Sequence, residues 1–168
     1  MAVREQVRIT LPEQLRQRVE PIRRQWDPDR AAHNPAHVTV IYHDEADDPG
    51  LLRARLRTVT ESWPRFALRL GAARVFGVPS RGIYLETDDC EQGTRRPRDA
   101  VLGPPFRPRG DFVSHVTLLH PERGARGDEA WQRLCDWRID ASFAVEAFEI
   151  IQGEKGAART VARYALAR

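Results

Sequence analysis

The sequence predicts an α+β protein built on antiparallel sheet. Three observations carry this. Short β-branched and aromatic runs alternate with amphipathic segments along all 168 residues. Two of those runs, His37-Val38-Thr39-Val40-Ile41 and His115-Val116-Thr117-Leu118-Leu119, nearly repeat one another. Each sits within its own series of strands and helices, which indicates a weak internal duplication. The length suits one domain, residues 1–168, or two small lobes packed closely together.

The elements follow in order. Val7-Arg8-Ile9-Thr10-Leu11 alternates as a first strand. Pro12-Glu13 opens a helix with Leu15, Val19 and Ile22 on one stripe, and Pro21 is expected to bend or end it early. Trp26-Asp27-Pro28 and Asn34-Pro35 read as a loop leading into a strand over roughly residues 36–42. His43-Asp44-Glu45 to Asp47-Asp48-Pro49-Gly50 reads as a solvated acidic turn and helix N-terminus. The helix carries Leu52, Leu56 and Val59 and stops near Trp63-Pro64. Residues 66–76 form a strand bulged at Gly71, Val78-Pro79-Ser80-Arg81-Gly82 a turn, and residues 83–87 the returning arm of a hairpin.

Residues 88–111 are rich in Arg and Pro and read as loop, with at most a short helix near Arg98-Asp99-Ala100-Val101-Leu102. Arg95, Arg96, Arg98, Arg107 and Arg109 are candidate phosphate contacts there. Phe112 to His120 is the second His-x-Thr strand, stopped by Pro121. Asp128-Glu129 start a helix expected to bury Trp131, Leu134 and Cys135. Phe143 to Ile151 reads as one strand whose change of phase marks a bulge. Glu154-Lys155-Gly156 turns the chain into a last strand over residues 160–166.

Bulk properties narrow the function. A chain 41% hydrophobic and 30% charged is an ordinary globular protein. Its net charge of +3, dominated by Arg, fits an anionic ligand without requiring one. Cys90 and Cys135 have no metal or redox spacing and are expected to be free, buried or half-buried thiols in a reducing cytoplasm. No apolar run approaches transmembrane length, and Met1-Ala2-Val3-Arg4-Glu5 lacks a signal-peptide core. A cytoplasmic location without membrane contact is expected. His33 and His37 have the spacing of a helical metal pair, but Pro35 opposes the helix, so no metal site is expected.

The paired runs carry the chemistry. In a strand His37 and Thr39 share one face, as do His115 and Thr117, while Val38 and Val116 point into the core. Breaking a phosphodiester needs a base for the attacking oxygen and an acid for the leaving one, and histidine does either near neutral pH. Threonine hydroxyls can hold the non-bridging oxygens. His43 is expected beyond the strand end and His120 on the opposite face. Tyr42 and Tyr84, with Phe76, are candidates to stack on a base or ribose, and Arg107 and Arg109 to contact the substrate.

With both His-x-Thr runs, a hairpin from Phe76 to Leu85 between them, and a helix and two closing strands after the second, the chain resembles the two-histidine (2H) phosphoesterase superfamily. That group includes RNA 2',3'-cyclic phosphodiesterases and the proteins called 2'-5' RNA ligases. The resemblance implies a bilobal α+β fold, two antiparallel β-sheets lining a central cleft with helices outside, and no metal or other cofactor. It implies hydrolysis of a 2',3'-cyclic phosphate on an RNA end or small nucleotide. His37 and His115 become the acid–base pair, with His115 taken as base, and Thr39 and Thr117 grip the phosphate. RNA 2'-5' ligation and a non-catalytic nucleotide- or RNA-binding module are the competing readings. A monomer is expected. Ser114 stands where relatives usually carry Pro, and residues 88–111 lack the clear helix that relatives commonly place there.

Overall fold

The computed structural model describes residues 4–77, 81–90, 92–153 and 158–168. Val78-Pro79-Ser80 and Glu154-Lys155-Gly156, both read as turns, lie outside the described residues, as does the start of the chain at Met1-Ala2-Val3. The elements are β1 Glu5–Thr10, α1 Glu13–Trp26, α2 Pro28–His33, β2 His37–Ile41, α3 Pro49–Ser62, β3 Phe66–Val75 and β4 Ile83–Asp88. They continue with α4 Arg95–Val101, β5 His115–Leu119, a 3-10 turn at Pro121–Arg126, α5 Gly127–Leu134, β6 Arg138–Val145, β7 Ala147–Gln152 and β8 Arg159–Ala165. No described helix is long and apolar enough to cross a membrane.

The antiparallel α+β class is as expected. The strands lie in the order β6-β3-β4-β5-β2-β1-β7-β8. The two sheets expected from the resemblance are therefore the four-stranded halves of one continuous sheet. They meet at a single residue pair, Val38 against Val116, on the two His-x-Thr strands. Helix α1 braces that junction. Arg23 Nε donates to the carbonyl of Thr117 at 3.1 Å, and Glu20 Oε1 accepts the backbone N–H of Ala36 at 2.5 Å, while Arg23 and Glu20 pair at 3.0 Å. One helix thus ties the start of β2 to the middle of β5. The other side chains of these strands settle the faces. Val38, Val40 and Ile41, and likewise Val116, Leu118 and Leu119, are buried in one core with Leu15 and Val19 of α1 and Leu52 and Leu56 of α3. The His and Thr positions are left half-buried on the opposite, open face.

Four expectations change. Helix α1 runs through Pro21 to Trp26, because Pro21 is exposed and the carbonyl its missing N–H would have used, that of exposed Gln17, can turn to water. Buried Leu15, Val19 and Trp26 hold both ends of the helix. The 26–35 loop contains a short helix that Pro28 initiates. The expected bulged strand over 143–151 is two strands from opposite halves. β6 pairs with β3 and β7 with β1, so the phase change at Glu146 is the crossing point, not a bulge. Both cysteines are exposed rather than buried, Cys135 as the C-cap of α5. In α5, Ala130 and Leu134 are the buried side chains.

The acidic turn is the fifth difference. Asp48 caps α3 as expected, accepting from Leu51 N at 2.9 Å. Glu45, however, is 2% exposed. It accepts a fork from Arg98, one arm at 2.6 Å, with Tyr42 N at 2.8 Å and Arg109 N at 2.6 Å. Burial pushes the Glu45 carboxyl up, but these donors outweigh it and hold the pKa below the usual range. Arg98 also donates to Val40 O at 2.9 Å. This buried pair fixes α4, which occupies part of the expected Arg/Pro loop, and straps residues 42–45 to 107–109. Replacing Arg98 by Met leaves Glu45 buried without its partner, so chemical denaturation should show a loss of about 3–5 kcal/mol. A loss under about 1 kcal/mol would mean that the strap is dispensable.

Candidate active site

Each His-x-Thr strand is an inner strand of its half, so the junction brings the two motifs together. Counting outward from Val38–Val116 in antiparallel register sets His37 opposite Thr117 and Thr39 opposite His115. The arrangement has near two-fold symmetry, and the hydrogen bonds repeat it. His37 Nδ1 lies 2.7 Å from the carbonyl of Pro35, and His115 Nδ1 lies 2.7 Å from the carbonyl of Val113. A carbonyl only accepts, so each Nδ1 carries the proton and each Nε2 keeps a free lone pair. Each ring is thus held by the carbonyl two residues before it.

Burial depresses both imidazoles. It brings His37 down to about 4 against the raising effect of the Pro35 bond, with Arg8, Arg23 and His115 adding to the fall. Burial also lowers His115, opposed by its bond to Val113. That His115 acts on His37 at all reflects their proximity.

The flanks differ. On the His37 side, β1 places Thr10 across from His37 and Arg8 across from Thr39. Gln6 Nε2 donates to Thr39 Oγ1 at 2.7 Å, which leaves the threonine's own proton available elsewhere. On the His115 side, β4 places Glu86 across from His115 and Tyr84 across from Thr117. Gly71, at the bulge of β3, lets the Glu86 side chain lie close: a Cβ there would meet Glu86 Oε1 at 2.8 Å, so the carboxylate would have to shift. Phe76 and Tyr84 pack on the His115 ring with centroids 5.0 and 5.3 Å away and on each other at 4.6 Å. They open onto a cavity of about 330 Å³ lined also by Tyr42, Arg109 and Phe112. The Arg109 guanidinium sits 4.2 Å from the centroid of Tyr42 and pairs with Asp44 at 2.6 Å.

The structure thus brings together His37, Thr39, His115 and Thr117, with Tyr42, Tyr84, Phe76 and Arg109 beside them. Arg107 is exposed, gives its backbone N–H to Glu45 O at 3.2 Å, and is not among the residues that line the cavity. Arg98 is committed to Glu45, Arg95 to the carbonyl of Phe112 at 2.8 Å, and Arg96 lies over Trp63. His33 bonds Asp29 O at 2.9 Å, His43 is exposed past β2, and His120 follows the end of β5, its N–H on Asp27. Among the described residues no three His, Cys, Asp or Glu side chains gather as a metal-ligand set. Gln6 and Arg8 were not singled out from the sequence, although both lie on the polar face of the alternating Gln6-Val7-Arg8-Ile9-Thr10 run.

The sequence profile of the 2'-5' RNA ligase superfamily matches residues 11–157. The chain belongs to the 2'-5' RNA ligase superfamily. Comparison with curated proteins gives no sequence match. Solved structures give the same fold. LigT of E. coli complexed with 3'-AMP superposes with a TM-score of 0.69 at 20% identity over 99% of both chains. A structure described as a phosphoesterase gives 0.69 at 20% over 100% of both, and a Thermus thermophilus protein 0.67 at 18% over 97% of both.

The two histidines can be checked directly. Nitrogen-15 NMR at neutral pH should find His37 and His115 neutral with the proton on Nδ1, and His37 titrating near pH 4. An Nε2–H tautomer, or a His37 midpoint at or above about 6.5, would contradict this electrostatic picture.

Proposed function

We propose that the protein is a metal-independent phosphodiesterase that opens a 2',3'-cyclic phosphate on an RNA end or small nucleotide, acting as a monomeric single domain in the cytoplasm. What supports this reading is the pair of imidazoles with matching tethers, each presenting a free Nε2 beside a threonine hydroxyl across the strand junction. In the proposed reaction one imidazole takes a proton from water as its oxygen attacks phosphorus. The other gives a proton to the ribose oxygen that leaves. His115 is taken as the first and His37 as the second. Thr39 and Thr117 donate to the non-bridging oxygens, where charge builds in the transition state.

The aromatic cavity beside His115 suits a nucleoside. Phe76, Tyr84 and Tyr42 offer ring faces and Arg109 a cation at its rim. LigT, a fold relative, has been crystallised with 3'-AMP, phosphate, ATP and NADP+. A nucleotide ligand for this chain fits with that. Ligation would use the same groups in reverse, and in water hydrolysis is favoured.

Both rings are neutral at pH 7 in the empty site, so the acid's proton has to arrive with the substrate. A bound phosphodiester anion raises both pKa values. The proposal therefore expects kcat/KM, which reports the free enzyme, to be bell-shaped with its maximum on the acid side of pH 6.5, since both pKa values are lowered. It falls at lower pH as the base is protonated and at higher pH as the acid is lost. The kcat profile should lie at higher pH. A kcat/KM that only climbs from pH 6 to 9 would contradict paired roles.

His37→Ala and His115→Ala should each lower turnover of a nucleoside 2',3'-cyclic phosphate about 10²–10⁴-fold, with activity unchanged by a chelator. Wild-type activity in both variants would end the proposal. Tight nucleotide binding without turnover by the wild type would favour a binding module instead.

A further inference from the structure

Arg8 carries a buried charge that the reaction above leaves unused. It stands on β1 across from Thr39, on the same face of the sheet, and is 7% exposed. A guanidinium has five N–H donors and stays charged. Arg8 Nη1 donates to Asn34 Oδ1 at 3.0 Å. Its Nε is a buried donor without a hydrogen-bond partner among the described residues, 3.9 Å from Glu149 Oε2. Glu149 is itself engaged by Thr10 Oγ1 at 2.7 Å. A cation removed from water and so loosely paired is costly unless an anion stands in front of it.

The neighbours are those of an anion site. Thr39 has its hydroxyl oxygen occupied by Gln6, so its proton is free to be donated. His37 feels Arg8 directly. The aromatic cavity lies on the other flank, beside His115. We propose that Arg8 is the charged anchor of the phosphate site, its guanidinium donating to a non-bridging oxygen on the His37 side. This rests on the phosphodiesterase reading and extends it: the ligand needs an anionic phosphorus centre, and a neutral ester of the same shape is rejected. It also links binding to proton loading. With the cleft empty, Arg8 helps to keep His37 unprotonated. With an anion across it, the repulsion is neutralised and the imidazole can take up a proton.

Inorganic phosphate titrated into the folded chain tests this. Arg8→Met should weaken binding at least about tenfold and Arg8→Lys less, because a point charge replaces a fork. Glu149→Gln removes the competing carboxylate and should tighten phosphate about two- to fivefold, a gain that a purely structural Arg8 does not explain. In turnover, the Arg8→Met loss should fall mainly in KM. The charged groups that act on His37 through their fields include Arg8 from β1, Arg23 from α1 and His115 from β5, all lowering its pKa, so losing Arg8 should move the His37 midpoint upward. The paired variant Thr39→Ala with Thr117→Ala separates the claims. If it loses phosphate while Arg8→Met binds within about twofold of wild type, the phosphate site stands and Arg8 is not its anchor. If wild type and the threonine variant bind phosphate equally poorly, the underlying reading falls too. Should Arg8→Met not fold, unchanged or weaker binding in Glu149→Gln overturns the proposal.

Discussion

The site exists because two strands far apart in sequence touch at one residue pair. Val38 against Val116 is the whole register between β2 and β5, and so between the two halves of the sheet. A single pair is a weak hinge on its own. The Glu20–Arg23 brace, largely out of water, turns it into a fixed junction by holding the Ala36 N–H and the Thr117 carbonyl from one helix. Because each strand alternates faces, fixing the two valines inward fixes both imidazoles and both hydroxyls outward. The geometry of the candidate site is thus a by-product of core packing one residue away.

The same face shows how charge is managed. Both imidazoles are pushed toward neutrality by burial, and the cations near His37 push further. An empty site therefore stores positive charge on Arg8 and Arg23 rather than on the rings. Arg23 is answered by Glu20, whereas among the described residues Arg8 is answered only at 3.9 Å by Glu149. The imbalance favours an anion in the cleft. The opposite flank is built differently, from rings, and its cation Arg109 is tied to Asp44 and Tyr42.

Much of this was legible in the chain. Alternation located most of the strands, and the repeated His-x-Thr runs set which of their side chains face the core and which the open side, because a side-chain period of two leaves little freedom once one face is apolar. Long-range pairing was not legible. Nothing local marks Glu146 as the point where the chain leaves β3's side for β1's, so β6 and β7 read as one bulged strand. Glu45 read as solvated because its partner Arg98 lies 53 positions away and is drawn in by tertiary packing. Arg8 read as an ordinary strand residue, since sequence does not reveal that a guanidinium will be enclosed beside Thr39. The cysteines read as buried from their residue type, yet both fall where the chain leaves regular structure: Cys90 just after β4 and Cys135 at the end of α5.

The central claim is that one phosphorus centre sits across the strand junction, shared by both motifs. A crystal structure with a nucleoside 3'-monophosphate tests it most directly. The account predicts the phosphate within hydrogen-bonding distance of the Thr39 and Thr117 hydroxyls, both Nε2 atoms facing it and the base among Phe76, Tyr84 and Tyr42. A phosphate bound instead among the exposed arginines of β3 and β6, with the paired threonines left to water, would contradict it.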